Sequence, residues 1–258
     1  MMRWDPAIYG GFAAPRLRPV FDLLARVPLE SPRRIVDLGC GGGQATRLLA
    51  QRWPEAEVIG IDSSPDMLTD AAAKDDSGRI TWVCGDAGGW RPTDPVDLVF
   101  SNAALHWLDD HASLMPRLLD AVAPGGVLAV QMPRNHGAPS HTGMADAAEA
   151  GPWAETLRPL LRPSPVASPD VYYDLLAKRA ARLDIWETDY LHVLEGDDPV
   201  VRWTSGTALA PLLQALEDGP RAAFLEAYRT RMAQAYPRRA DGRTLLPFRR
   251  LFLVAARD

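Results

Sequence analysis

Between residues 34 and 132, short apolar runs alternate with helix-patterned stretches, and this alternation constrains the fold more than any other property of the chain. "RIVDLG" reads as a buried strand, and "GQATRLLAQRW" as a helix stopped by Pro54. "EVIGID" (57–62) is a second strand. "SSPDMLTDAAAK" opens a helix with Ser64 as N-cap and Pro65 at the first helical position. "RITWVCGD" (79–86), "VDLVFSN" (96–102) and "GGVLAVQM" (125–132) add three strands, with a helix over about 110–122 between the last two. Upstream, "PRLRPVFDLLARV" (15–27) carries Leu17, Val20, Phe21, Leu24 and Val27 on one helical face, with Pro15 and Pro19 near its first turn. Strands separated by helices need right-handed crossovers, which give a parallel sheet covered on both faces.

After Met132 the rhythm breaks. Residues 133–170 are rich in Pro, Gly, Ser and Ala; "DVYYDLLAKRA" then resumes a helix. "LDIWETDYLHVL" (183–194) and "LLPFRRLFLVAAR" (245–257) bring the strands to seven, and residues 197–236 read mainly as helices. The expected fold is α/β: a doubly wound, mostly parallel, seven-stranded Rossmann-like sheet. A single domain over 1–258 is expected, with helical lid elements over about 1–27, 133–170 and 195–244. The chain is 47% hydrophobic and carries a net charge of −5, which excludes a broad nucleic-acid footprint. "MMRWDPAIYGGF" lacks the apolar core of a signal peptide, and no stretch approaches the roughly 18 apolar residues of a membrane span. Cys40 and Cys84 form no metal spacing. A cytoplasmic, membrane-free protein is the expectation, with the oligomeric state open and a monomer favoured.

The loop after the first strand, "GCGGGQ", carries the chemistry. Gly39 and Gly41 fit the dinucleotide fingerprint G-x-G-x-x-G, but Gln44 stands in its third slot, and no Gly-Lys-Ser/Thr follows. An acid, Asp37, ends the strand before the loop; it repels a phosphate and suits a ligand bearing a cation. S-adenosylmethionine has an ammonium and a sulfonium and no phosphate. The other strand ends agree. Asp62 lies 23 residues past Gly39, where an acid accepts from ribose hydroxyls. Met67 follows on the next helix and can pack on adenine; Asp86 ends the third strand and can accept from the adenine amine; Asn102 ends the fourth. With Ser63 beside Asp62 and Ala87 beside Asp86, the candidate cofactor residues are Asp37, Gly39, Gly41, Asp62, Ser63, Met67, Asp86, Ala87 and Asn102.

"VDLGCGGG", "GIDSSPDML" and "GDAGGW" resemble the first three motifs of class I S-adenosylmethionine-dependent methyltransferases, with Gly42 where many members carry proline. "WDPAIYGGF", "RLRP", "SNAALHWL", "AVQMP", "YYDLL", "DIWETDYLH", "YPRRADG" and "PFRRLFLVA" resemble the trans-aconitate methyltransferases nearly end to end. The resemblance implies methyl transfer to a carboxylate oxygen of a small polycarboxylate, with S-adenosylhomocysteine as the other product. Two alternatives are a methyltransferase acting on another small acid or natural-product intermediate, and a non-catalytic S-adenosylmethionine-binding module.

A carboxylate is already nucleophilic at neutral pH, so no general base is required; His106 and His192 are the candidates if one takes part. Orientation, worth up to about 7–11 kcal/mol, is then the main task. An acidic chain that binds a polyanion needs local arginines, whose forks grip carboxylates in a bidentate way. Arg16 and Arg18, or Arg249 and Arg250, fill this role, with Arg250 preferred because the family resemblance retains that position. Neutral polar candidates are Tyr9, Gln131, Asn135, Tyr173 and His192, with core packing expected for at least one of Tyr172 and Tyr173. His106 and Trp107 follow the fourth strand as pocket lining, and Trp4 and Phe12 read as lid packing.

Overall fold

A computed structural model describes residues 13–161 and 163–258, with backbone alone over 13–16. The described chain forms two compact units, one of residues 14–133, 165–188 and 250–258, the other of 134–164 and 189–249.

The first unit holds the sheet and is built from α1 (Ala13–Ala25), β1 (Arg34–Leu38), α2 (Gln44–Arg52), β2 (Glu57–Asp62), α3 (Pro65–Ala73), β3 (Ile80–Cys84), β4 (Val96–Asn102), α4 (His111–Asp120), β5 (Val122–Pro133) and α7 (Pro169–Leu176). Strands β6 (Ala180–Leu194) and β7 (Thr244–Arg257) complete a seven-stranded sheet of order β3-β2-β1-β4-β5-β7-β6. The β3–β2, β2–β1, β1–β4 and β4–β5 pairs are parallel, and β7 runs antiparallel to β5. Ile35, Val36 and Leu38 of β1, Leu98 to Phe100 of β4 and Val127 to Val130 of β5 are buried without alternation, as in a sheet covered on both faces. The chain builds outward from β1 to β2 and β3, then returns to place β4 on the other side. The carboxyl ends of β1 and β4 therefore flank the crevice where open α/β sheets bind ligands.

Several expected boundaries shift. Helix α1 begins at Ala13, so Pro19 lies inside it rather than in its first turn. Residues 14–27 fall in the sheet unit, where Val20, Leu23, Leu24 and Val27 are buried. Arg26 ties the end of this segment to Asp184 at 3.0 Å and lies over the Trp186 ring, which stacks on Phe252 at 4.8 Å. Strand β3 stops at Cys84, which leaves Asp86 in the following turn.

The second unit contains α5 (Pro139–Glu149), α6 (Ala154–Leu157), α8 (Pro199–Ser205), α9 (Ala210–Gln214) and α10 (Asp218–Ala235). Met144, Ala147, Trp153, Trp203, Phe224, Tyr228 and Met232 pack in its core. The small-residue composition of 133–170 thus includes a helix, α5, whose Ala147 and Ala148 are buried. No helix among the described residues is long and apolar enough to cross a membrane.

Candidate functional site: a glycine loop and a buried polar row

Backbone geometry shapes the loop between β1 and α2. Gly39 has φ +73°, and a Cβ placed on it meets the Ala104 Cβ at 2.1 Å, so only glycine fits the approach. Its N–H donates to the Ile61 carbonyl at 2.8 Å, which fastens the loop to β2. Gly41, at φ +52°, faces open space: an added Cβ meets nothing within 4 Å. Its N–H donates to Asp62 Oδ2 at 2.8 Å, while Asp62 Oδ1 accepts from Ser64 N–H at 2.9 Å. One acid therefore braces both the glycine loop and the turn through Ser63 into α3. Met67 is buried on α3, its N–H capped by Ser64 Oγ at 3.3 Å.

Asp37 lies beneath this loop, fully buried, and accepts from the Thr46 hydroxyl at 2.7 Å. Burial raises its pKa to about 7; the Thr46 bond opposes the rise and the charge of Asp62 adds to it. Burial, with the charges of Asp37 and Asp62, also pushes the neighbouring Cys40 thiol up. The sequence reading missed Thr46, although a hydroxyl residue one turn into the helix after a glycine loop is a legible signal. Asp86 accepts from the N–H groups of Gly88 and Gly89 at 2.9 and 2.8 Å, so its carboxylate shapes a turn. Ala87 beside it packs against the sheet core.

Where β4 and β5 end, beside the middle of β7, a row of polar side chains comes together. Asn102 is paired in register with Gln131, and Gln131 with Phe252; Arg250, two residues from Phe252, shares its face. Arg250 is 4% exposed and donates from Nη1 to Gln131 Oε1 at 3.3 Å. Asn102 Oδ1 and Gln131 Nε2 are buried, with no hydrogen-bond partner among the described residues. Ala103 follows Asn102 at φ +53°, a left-handed backbone for a non-glycine residue, held by its N–H bond to the Gln131 carbonyl at 2.9 Å. No local signal in the sequence marks that strain.

The remaining expected residues have surroundings of their own. Arg249 grips Asp189 through two bonds of 2.9 and 3.1 Å, so its charge is matched by a carboxylate. Asn135, in the second unit, accepts from Arg249 N–H at 3.2 Å and donates to Ser140 Oγ at 3.4 Å. His192 is buried there against Trp203 (4.4 Å) and Phe248 (6.0 Å). Tyr173 is 57% exposed on α7, whereas Tyr172 is wholly buried. His106 sits in the short helical turn after β4 with its ring 4.8 Å from Trp107. Tyr9, Trp4, Phe12 and the Arg16 side chain lie outside the described residues.

The donor set suits S-adenosylmethionine. The open space over Gly41 admits a ligand against bare backbone. Asp62, which braces that loop, and Asn102 Oδ1 at the end of β4 are acceptors, the kind of group that ribose hydroxyls and an ammonium require.

A methyltransferase-domain family model matches residues 35–126. A solved structure of the same fold is phosphoethanolamine N-methyltransferase 2 from Haemonchus contortus, in complex with phosphomonomethylethanolamine and S-adenosylhomocysteine. The TM-score is 0.55 at 17% identity, over 93% of this chain and about half, 52%, of that one. Another is the Bacillus subtilis YcgJ protein, with a TM-score of 0.58 at 11% identity over 92% and 97% of the two chains. Fold, glycine loop and domain match agree with the class that full-length relatives show, an S-adenosylmethionine-dependent methyltransferase. Two full-length relatives narrow that class. The trans-aconitate 2-methyltransferase of Azoarcus sp. (strain BH72) is 47% identical over 100% of both chains. That of Methylobacterium radiotolerans is 48% identical over 99% of this chain and 98% of its own. The chain belongs to the trans-aconitate methyltransferase family.

Proposed function

We propose that this enzyme forms a methyl ester on a small polycarboxylate of the trans-aconitate kind. The position of Arg250 carries the reading. A guanidinium buried at the carboxyl edge of the sheet, in a chain of net charge −5, is a local cation with the planar fork that recognises a carboxylate. Asp62 and the Gly39–Gly41 backbone would hold the cofactor, Met67 would lie against its adenine, and Asn102 would accept from it. When bound, S-adenosylmethionine would supply an electrophilic methyl group to a carboxylate oxygen, its C–S bonding pair returning to sulfur, so that an ester and a thioether result. No proton moves. The protein's part is to orient the carboxylate and exclude water, because opposite charges that cancel during the step are stabilised less in a dry site. Arg250 holds a carboxylate that does not react: clamping the reacting one stabilises an anion that the transition state loses.

Incubation with S-adenosylmethionine and a panel of mono-, di- and tricarboxylates, read by mass spectrometry for the gain of one methylene, tests the reading. Ester from trans-aconitate and related polyacids supports it; ester from monocarboxylates alone overturns it. Arg250→Ala raises KM for a tricarboxylate more than it lowers kcat, because a spectator contact persists in ground and transition states.

A further inference from the structure

We propose that Gln131 selects which carboxylate of the substrate is methylated. The inference rests on the polycarboxylate reading above. An arginine side chain has only donors, so the 3.3 Å bond from Arg250 Nη1 requires the oxygen of the Gln131 amide to face it. That bond settles the amide orientation and turns the NH2 group away from Arg250. Gln131 is 0% exposed, and its Nε2 has no partner among the described residues. A buried donor left unsatisfied is costly, so its retention calls for an acceptor that arrives with a ligand. Asn102, directly across in register, offers Oδ1, yet the two groups do not bond.

A carboxylate oxygen is the acceptor this geometry fits. Arg250 and Gln131 then present a charged donor and a neutral donor side by side, which suits two carboxylates of one substrate. The guanidinium takes the carboxylate whose charge persists. The amide, a weaker donor, takes the one whose charge disappears as the O–C bond forms, orienting it with less ground-state stabilisation. The order of the two donors thus sets the position of the ester.

Gln131→Leu removes the donor at similar volume. Gln131→Glu keeps an acceptor for Arg250 but, when ionised, donates nothing. Each is compared with the unsubstituted enzyme on trans-aconitate, whose carboxylates are inequivalent, with the monomethyl ester isomers separated by chromatography. Thermal unfolding and S-adenosylhomocysteine affinity are measured alongside, to show an intact fold and cofactor site. In a folded variant the isomer ratio moves at least about fivefold toward other positions and kcat falls roughly tenfold, since loss of orientation costs rate. An isomer ratio unchanged in both variants, whatever the rate, overturns the assignment. If the unsubstituted enzyme forms no ester from any polycarboxylate, the functional reading fails and this one with it.

Discussion

Asp37 is the residue whose chemistry departs furthest from its sequence appearance. An acid before a glycine loop reads as a charge; buried against Thr46, it titrates at about 7 rather than 3.8. Folding therefore takes up a proton across that interval, so this group's contribution to stability is fullest near pH 4 and falls as pH rises toward about 7. Asp37→Asn should flatten that slope in urea unfolding measured from pH 4 to 8. A cationic ligand nearby favours the ionised form, so S-adenosylmethionine binding near pH 7 should release a proton. Calorimetry in two buffers of different ionisation heat should give different enthalpies for the native enzyme and equal ones for Asp37→Asn. The two glycines separate folding from binding. Gly39→Ala drives a methyl into Ala104 from a left-handed backbone and should cost about 2–5 kcal/mol. Gly41→Ala meets no atom, so its stability cost is backbone strain of about 1–2 kcal/mol. Its larger effect should be weakened cofactor binding, seen by calorimetry.

Among the elements, α4 and α7 are joined to the turn after β4 by one buried contact. His111 Nε2 lies 3.0 Å from the Leu105 carbonyl, and an oxygen of that kind only accepts, so Nε2 carries the proton. Nδ1 then accepts from the Tyr172 hydroxyl at 2.6 Å, and the same hydroxyl accepts from Ala167 N–H at 3.2 Å. Burial lowers the His111 pKa below 6.5. The sign is opposite to that of Asp37: the stability is present above about 6.5 and is lost as pH falls, when the neutral ring must take a proton in a buried place. Tyr172→Phe strands Nδ1 and the Ala167 N–H and should cost about 1–3 kcal/mol in urea unfolding at pH 7.5. Tyr172 is thus committed to this contact, whereas Tyr173, one residue on, is exposed.

For the whole molecule, ligand linkage gives a test independent of turnover. S-adenosylhomocysteine at about 100 times its Kd should stabilise the native enzyme by about 2.7 kcal/mol, read as a rise in Tm. Asp62→Ala removes the acceptor that braces Gly41 and Ser64 and should lose most of that rise at the same ligand concentration. The pH dependence of turnover tests the absence of a general base. A substrate carboxylate titrates near 4, so kcat should be nearly flat between about pH 6.5 and 8.5. A bell centred near neutrality, with methyl transfer rate-limiting, would bring His106 or His192 back as a base.

The doubly wound fold and the glycine loop were legible because they are local: strand-length apolar runs, a Ser-Pro helix start at Ser64 and Pro65, and glycines at Gly39 and Gly41 act over a few residues. What the sequence by itself determined is therefore the sheet, its ligand edge and the class of cofactor, together with the family. The tertiary structure alone decided how the side chains divide their partners. Gln131 and Arg250 are 119 residues apart and meet only because β7 inserts antiparallel beside β5. Arg249, one position away on the opposite face, is matched instead by Asp189, 60 residues distant. Asp37 acquires its raised pKa from burial that strand order creates, and Ala103 its left-handed backbone from a bond to the neighbouring strand. Period and turn chemistry are written along the chain. Hydrogen-bond partners, burial and the protonation states that follow depend on which strands become neighbours, and no short-range pattern carries that information.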